Sequence, residues 1–134
     1  MNVTRNAVYN YIHNAVANVY PSMYIVGTFE PVPASLPAVY IIESGDLRNR
    51  DNMTMAGHQG VRTSTFEVQI VSGKANGAMS EAYEILETVR SAFFALYYNE
   101  VNVITMESGA NGTNYRLRAT YRRVIGDADE MPTE

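Results

Sequence analysis

Between residues 65 and 70 the chain alternates strictly, with Phe66, Val68 and Ile70 apolar and Thr65, Glu67 and Gln69 polar. A period of two belongs to a strand with one buried and one wet face. Ser72, Gly73, Lys74, Ala75, Asn76 and Gly77 then form a run of turn formers, and Ser80 stands where its hydroxyl can cap the first free N–H groups of a helix. From there the period changes: Ala82, Ile85, Leu86, Val89, Phe93 and Leu96 fall on one helical stripe. Glu81, Glu84 and Glu87 crowd the early turns, where the positive end of the helix dipole favours them, and Arg90 is within pairing reach of Glu87.

The same reading covers the rest of the chain. Val3, Val8, Tyr11, Ile12, Val16 and Val19 have helical spacing, Thr4 can cap, and Pro21 stops the pattern. Tyr24, Ile25 and Val26 make a short strand, and Pro31, Pro33 and Pro37 enforce an extended passage into a second apolar strand over 38–43. Residues 44–60 carry Gly45, Asp46, Arg48, Arg50, Asp51 and His58 with almost no apolar periodicity, which predicts a long mobile loop or an extended hairpin arm. Val101, Val103 and Ile104 form a further strand. Ser108, Gly109, Ala110, Asn111 and Gly112 turn the chain back into a closing strand over 115–124, and Asn-Gly is a strong hairpin signal. The expected fold is α+β: an antiparallel sheet of four to five strands with two helices packed on one face, in the order helix-strand-strand-strand-helix-strand-strand.

On the closing strand Tyr115, Leu117, Ala119 and Tyr121 share the core side, while Arg116, Arg118 and Arg122 share the other with Thr120. Arg123 breaks the alternation, which predicts a bulge or the end of pairing there. The plain reading of the arginine side is a solvated sheet surface paired across strands with acids such as Glu67 or Glu107. The functional reading is a subunit interface, since a guanidinium can grip a partner's carboxylate with two bonds. Direct contact with DNA is the third.

Charge weighs against that third reading. The formal net charge is −4, and Asp127, Asp129, Glu130 and Glu134 all fall in the last eight residues; removing those four from fourteen acids leaves ten, against ten Lys and Arg. A neutral body lacks the basic excess that phosphate binding needs. Residues 1–126 are expected to form a single α+β domain and 127–134 an acidic flexible C-terminal tail, with docking of that tail on a neighbouring subunit as the sharper alternative. The absence of cysteine removes disulfides and thiolate metal sites. No run approaches the roughly 20 apolar residues of a membrane span, so no membrane partner is expected.

Catalytic chemistry finds no players. His13 and His58 are the two histidines and neither has a second ligand at metal spacing. No Gly-x-Ser-x-Gly elbow occurs. Gly73, Lys74 and Gly77 are in the wrong order for a phosphate loop, and the Asn-x-Thr triplets at Asn2, Asn52 and Asn111 lack a secretion signal. No cofactor, metal or enzymatic activity is expected. Ten tyrosines and seven methionines suit either the core or an interface.

The order of strand, Ser-Gly-Lys linker with Asn-Gly, Ala-Met-Ser-Glu-Ala helix start, long helix, hairpin, and the strand YRLRATYRRVIGD resembles the tail terminator and minor tail proteins of long-tailed bacteriophages, over roughly residues 38–127. The family tends to carry a Gly-Phe step after the long helix, where this chain departs with Leu96, Tyr97, Tyr98 and Asn99. The resemblance implies a structural virion protein of the tail or neck, assembled in the host cytoplasm. It also implies a homohexameric ring that joins the tail tube protein to a head connector or stopper protein, with double-stranded DNA passing through the lumen without sequence-specific binding. By that analogy Arg116, Arg118, Arg122 and Glu67 are candidate subunit-interface residues, and Asp46, Arg48, Arg50, Asp51 and His58 candidates for an inter-ring or lumen loop. A neck stopper of the same virion is the near alternative, and a small nucleic-acid-binding or regulatory domain the alternative from another class.

Overall fold

A computed structural model of the chain describes residues 3–29, 33, 35–48, 61–73, 77–106, 115–126 and 131. Seven elements follow in the expected order: α1 (Arg5–Val19), β1 (Tyr24–Val26), β2 (Ala38–Arg48), β3 (Val61–Ser72), α2 (Ala78–Ala95), β4 (Asn99–Met106) and β5 (Tyr115–Gly126).

Helix α1 begins as its sequence requires. The Thr4 hydroxyl accepts a hydrogen bond from the Ala7 N–H at 3.1 Å, and the helix ends one residue before Tyr20 and Pro21. Val8, Ile12 and Val16 are buried, whereas Val19, on the same stripe, is exposed at the last turn. Helix α2 starts earlier than Ser80 suggests. Gly77 takes the left-handed conformation (φ 85°) and turns the chain directly into a helix at Ala78, so no side chain caps the first turn. Ser80 is therefore inside the helix and its expected capping role is corrected. Ala82, Ile85, Leu86, Val89 and Phe93 are buried as the stripe predicted.

The end of α2 accounts for the departure noted above. The Tyr98 N–H reaches back to the Phe93 carbonyl and the Tyr97 N–H to the Phe94 carbonyl, both at 3.0 Å, which is the double closure of a Schellman motif. The left-handed position that this motif needs is filled by Tyr97 (φ 65°), and the Tyr98 ring packs on Phe93 with centroids 5.3 Å apart. A Cβ in that conformation is strained, so Tyr97→Gly is expected to stabilise the fold by about 0.5–1 kcal/mol despite the loss of Tyr97's contact with Arg123, read as a higher urea midpoint at unchanged slope.

The five strands form one sheet in the order β1-β2-β3-β5-β4. Four of them pair antiparallel, but β1 runs parallel to β2, with Tyr24 opposite Ala38 and Val26 opposite Tyr40. The expectation of a purely antiparallel sheet is corrected at this edge: residues 27–37 carry the chain back to start β2 in the same direction, a connection of about the dozen residues that a parallel pair needs. Strand β2 also outruns its predicted end. After a bulge between Glu43 and Gly45 it continues to Arg48, which pairs with Arg62, so 44–48 are the arm of a hairpin and not a loop. The bulge expected at Arg123 is absent. The β3–β5 register is continuous from Ser72↔Tyr115 to Val61↔Gly126, and the irregularity falls instead in β4, where Val101 is extra between Glu100 and Asn102.

Strand alternation sorts the sheet into two faces. On one, Val39, Ile41, Phe66, Val68, Ile70 and Leu117 join the buried stripes of both helices in a single apolar core, with Phe93 stacked on Tyr121 at 4.3 Å. On the other, Ala38, Tyr40 and Val71 form a smaller cluster with Tyr24, Val26 and Ile42. Both helices thus lie on one face. Met131 packs against the main core; the other residues of the expected acidic tail lie outside the described ones.

Candidate interaction surface

The face of the sheet away from the helices carries the predicted arginines. At the β1 end its apolar cluster is covered by Phe29, whose ring meets Tyr40 edge-on at 5.8 Å. Beyond that, β3 presents Thr65, Glu67 and Gln69 and β5 presents Arg116, Arg118 and Arg122 on the outward side.

These side chains form a connected row. Arg118 Nε lies 3.6 Å from Glu67 Oε1, Gln69 donates to Glu67 Oε2 at 3.2 Å, and Arg116 donates to Gln69 Oε1 at 3.1 Å. The Arg116 guanidinium also lies over the Phe29 ring at 5.7 Å. Glu67 is therefore the cross-strand acid that the sequence suggested, while Glu107 lies outside the described residues. Arg122 is exposed, flanked by Thr65 and Asn99, and makes no ion pair among the described residues. Val124 and Ile104, 59% and 39% exposed, stand on the same face. Gln69 was missed as a member, although its place in the polar series 65, 67, 69 was the available signal; Phe29 had none, since its approach depends on the fold of the segment after β1.

The Arg118–Glu67 pair is partly exposed and longer than a hydrogen bond, so it contributes little to stability. Arg118→Ala is expected to shift unfolding by less than about 0.5 kcal/mol, measured by urea titration. What the row does is hold two arginines upright on a flat surface.

Asp46 and Arg48 lie on the far part of β2, opposite Ser64 and Arg62. Arg50, Asp51 and His58 lie outside the described residues. Asp46 and Arg48 thus belong to the β2–β3 pair and stand apart from the Arg116–Arg118 row.

Two polar networks sit on the helix side. Arg90 grips Glu100 with two bonds of 2.9 and 3.1 Å, Tyr121 donates to the same carboxylate at 2.9 Å, and Glu87 meets Arg90 at 2.5 Å. Burial, reinforced by the hydrogen bond to Glu100, pushes the Tyr121 phenol far above its ordinary range, and the bond to Glu100 raises Arg90 as well. At the other end Ser64 bonds Tyr98 at 2.8 Å and Glu43 at 3.2 Å, Arg62 donates to the Val3 carbonyl, and Arg123 donates to the Leu96 carbonyl at 2.8 Å. Each group here closes a backbone end or a neighbouring side chain. Among the described residues no group of three or more His, Asp or Glu stands together to hold a metal, and no helix is long and apolar enough to cross a membrane.

No family model matches the sequence, and no curated protein matches it. Among solved structures, a chain from the virion of a native gene transfer agent particle is similar at a TM-score of 0.62 and 13% identity, covering 89% of this chain and 91% of that one. The sheath/tube terminator of an extracellular contractile injection system, PVC, in its extended state aligns at a TM-score of 0.42 and 10% identity over 100% of this chain and 62% of that one, a likeness too loose to bear on this chain. The chain therefore shares its α+β fold, over 89% of its length, with a chain from the virion of a native gene transfer agent particle.

Proposed function

We propose that this chain is a structural protein of a phage-like virion, a tail terminator that forms a ring at the head-proximal end of the tail and joins the tail tube to the head connector. The observation that carries the reading is the fold likeness to a gene transfer agent virion chain over nearly the full length of both. The polar networks support it as well, since they tie elements together. The flat arginine row supports a role in contact with other subunits, because a surface rich in Arg and short of free acids is complementary to an acidic partner.

In this reading the subunits form a homohexamer, and DNA passes through the lumen without being read. The tip of the β2–β3 hairpin, with Asp46, Arg48, Arg50, Asp51 and His58, reaches toward the lumen or the adjacent ring. A neck stopper would use the same fold at the next position in the stack. Purified particles should contain the chain by mass spectrometry, and imaging should place a ring of it at the head end of the tail; particles lacking the chain overturn the reading. A monomer in dilute solution does not, because such a ring can require its partner to assemble.

A further inference from the structure

The solvent-facing ridge of α2 is made by Ser80, Glu84, Glu87, Ser91 and Phe94, which recur at three- and four-residue steps on the side opposite the buried stripe. Glu84 makes no hydrogen bond or ion pair among the described residues, Glu87 is 66% exposed, and Phe94 leaves half of its surface in water. The acids of α2 outnumber its one base, Arg90, which is held by Glu87 and Glu100. On the opposite side of the molecule the open sheet face has three arginines against Glu67 alone among its described residues, with Val124 and Ile104 exposed beside them. One chain therefore carries two opposed surfaces of opposite sign, each with an apolar contact.

We infer that the α2 ridge of one copy docks on the arginine face of the next, so that helix layer meets sheet layer head to tail around the assembly. The inference rests on the ring reading and names the two surfaces that join. Dimensions agree. From Ser80 to Phe94 the ridge runs about 21 Å at 1.5 Å per residue, and from Arg116 to Val124 the strand runs about 26 Å at 3.3 Å per residue. Glu84 and Glu87, about 5–6 Å apart at their Cβ atoms, match the spacing of about 7 Å between alternate residues such as Arg116 and Arg118. Phe94, about 15 Å beyond Glu84, then comes beside Thr120 and Arg122. Because the two surfaces are different, the contact is heterologous: repetition does not stop at a dimer, and it closes a ring where the rotation between successive copies closes.

The chain contains no cysteine, which makes a cross-linking test clean. Full-length chain carrying both Ser91→Cys and Thr120→Cys, concentrated and mildly oxidised, is expected to give a ladder of dimers, trimers and higher multimers, whereas either substitution alone gives none. Charge exchange tests the same contact: Arg116→Glu or Glu84→Arg alone is expected to weaken self-association, by sedimentation, at least about tenfold, and the two together to recover most of that loss. Absence of the ladder, or a pair of reversals whose effects simply add, overturns the contact. Particle imaging is decided separately: a ring in the particle without these cross-links removes this contact and leaves the ring, while a ladder from a chain absent from particles removes the tail reading and leaves the contact.

Discussion

Phe93→Ala is expected to destabilise the protein by about 3–5 kcal/mol, lowering the thermal midpoint by roughly 10–20 °C. Phe93 is fully buried at the centre of the aromatic cluster: its ring is parallel to Tyr121 at 4.3 Å, tilted on Phe66 at 5.8 Å and edge-on to Tyr98 at 5.3 Å. Two strands and the corner after α2 meet on this one side chain. Truncation loses the transfer free energy of the ring, leaves a cavity among rigid rings that cannot collapse into it, and removes ring pairs that add about 0.5–1.5 kcal/mol each. Phe93 is also the carbonyl acceptor that closes α2 from Tyr98, so its displacement loosens the corner that leads to β4. Urea titration should show a lower midpoint, and calorimetry a matching fall in transition temperature; a loss under about 1 kcal/mol would mean the cluster repacks.

Glu100→Ala is expected to cost about 2–3 kcal/mol, although the site is at the rim of the core. The carboxylate accepts two bonds from Arg90 and one from Tyr121, and its removal leaves a half-buried guanidinium and a buried phenol without their acceptor. Partial exposure keeps the cost below that of a fully buried pair. Arg90→Met combined with Glu100→Ala should be less destabilising than the sum of the two, since the second change removes the group that the first would strand. The network also fixes the response to alkali. Tyr98 is raised by burial and Tyr121 by burial and then by Glu100. A phenol whose folded pKa is raised stabilises the fold fully below the unfolded value near 10, and that contribution drains away as the pH climbs beyond it. Stability measured by urea titration should therefore fall steadily above about pH 10, and Tyr121→Phe should flatten the fall.

Much of this was legible in the sequence because local pattern and tertiary role agree there. The series Phe66, Val68, Ile70 and the stripe from Ala82 to Leu96 each belong to an element buried on one face, so periodicity alone names the core. The pairing of Arg118 with Glu67 was legible for the same reason, as the outward residues of adjacent strands. What the sequence hid depends on backbone conformation or on distance along the chain. Gly77 displaced Ser80 as the start of α2 by taking a left-handed turn that a propensity rule does not foresee. Arg123 looked like a break in pairing because a charged residue stood on the core side, yet it bonds the Leu96 carbonyl at the helix end and the strand runs on. The direction of β1 could not be read because three residues hold no trace of which way their partner runs. Arg90, Glu100 and Tyr121 come from three elements, and nothing local marks them as one group.

The irregular step at Val101 bears on how the borders of the sheet meet other chains. A sheet in the order β1-β2-β3-β5-β4 has two free borders, and a free border is a template on which another chain can add a strand without limit. One of them is β1, three residues long and continued by β2 beyond Tyr40, which a bulge between Glu43 and Gly45 interrupts; the other is β4, where the extra residue between Glu100 and Asn102 interrupts the spacing of the outward N–H and C=O groups. Neither border offers a long regular row. Open-ended fibre growth through the strands is thereby discouraged.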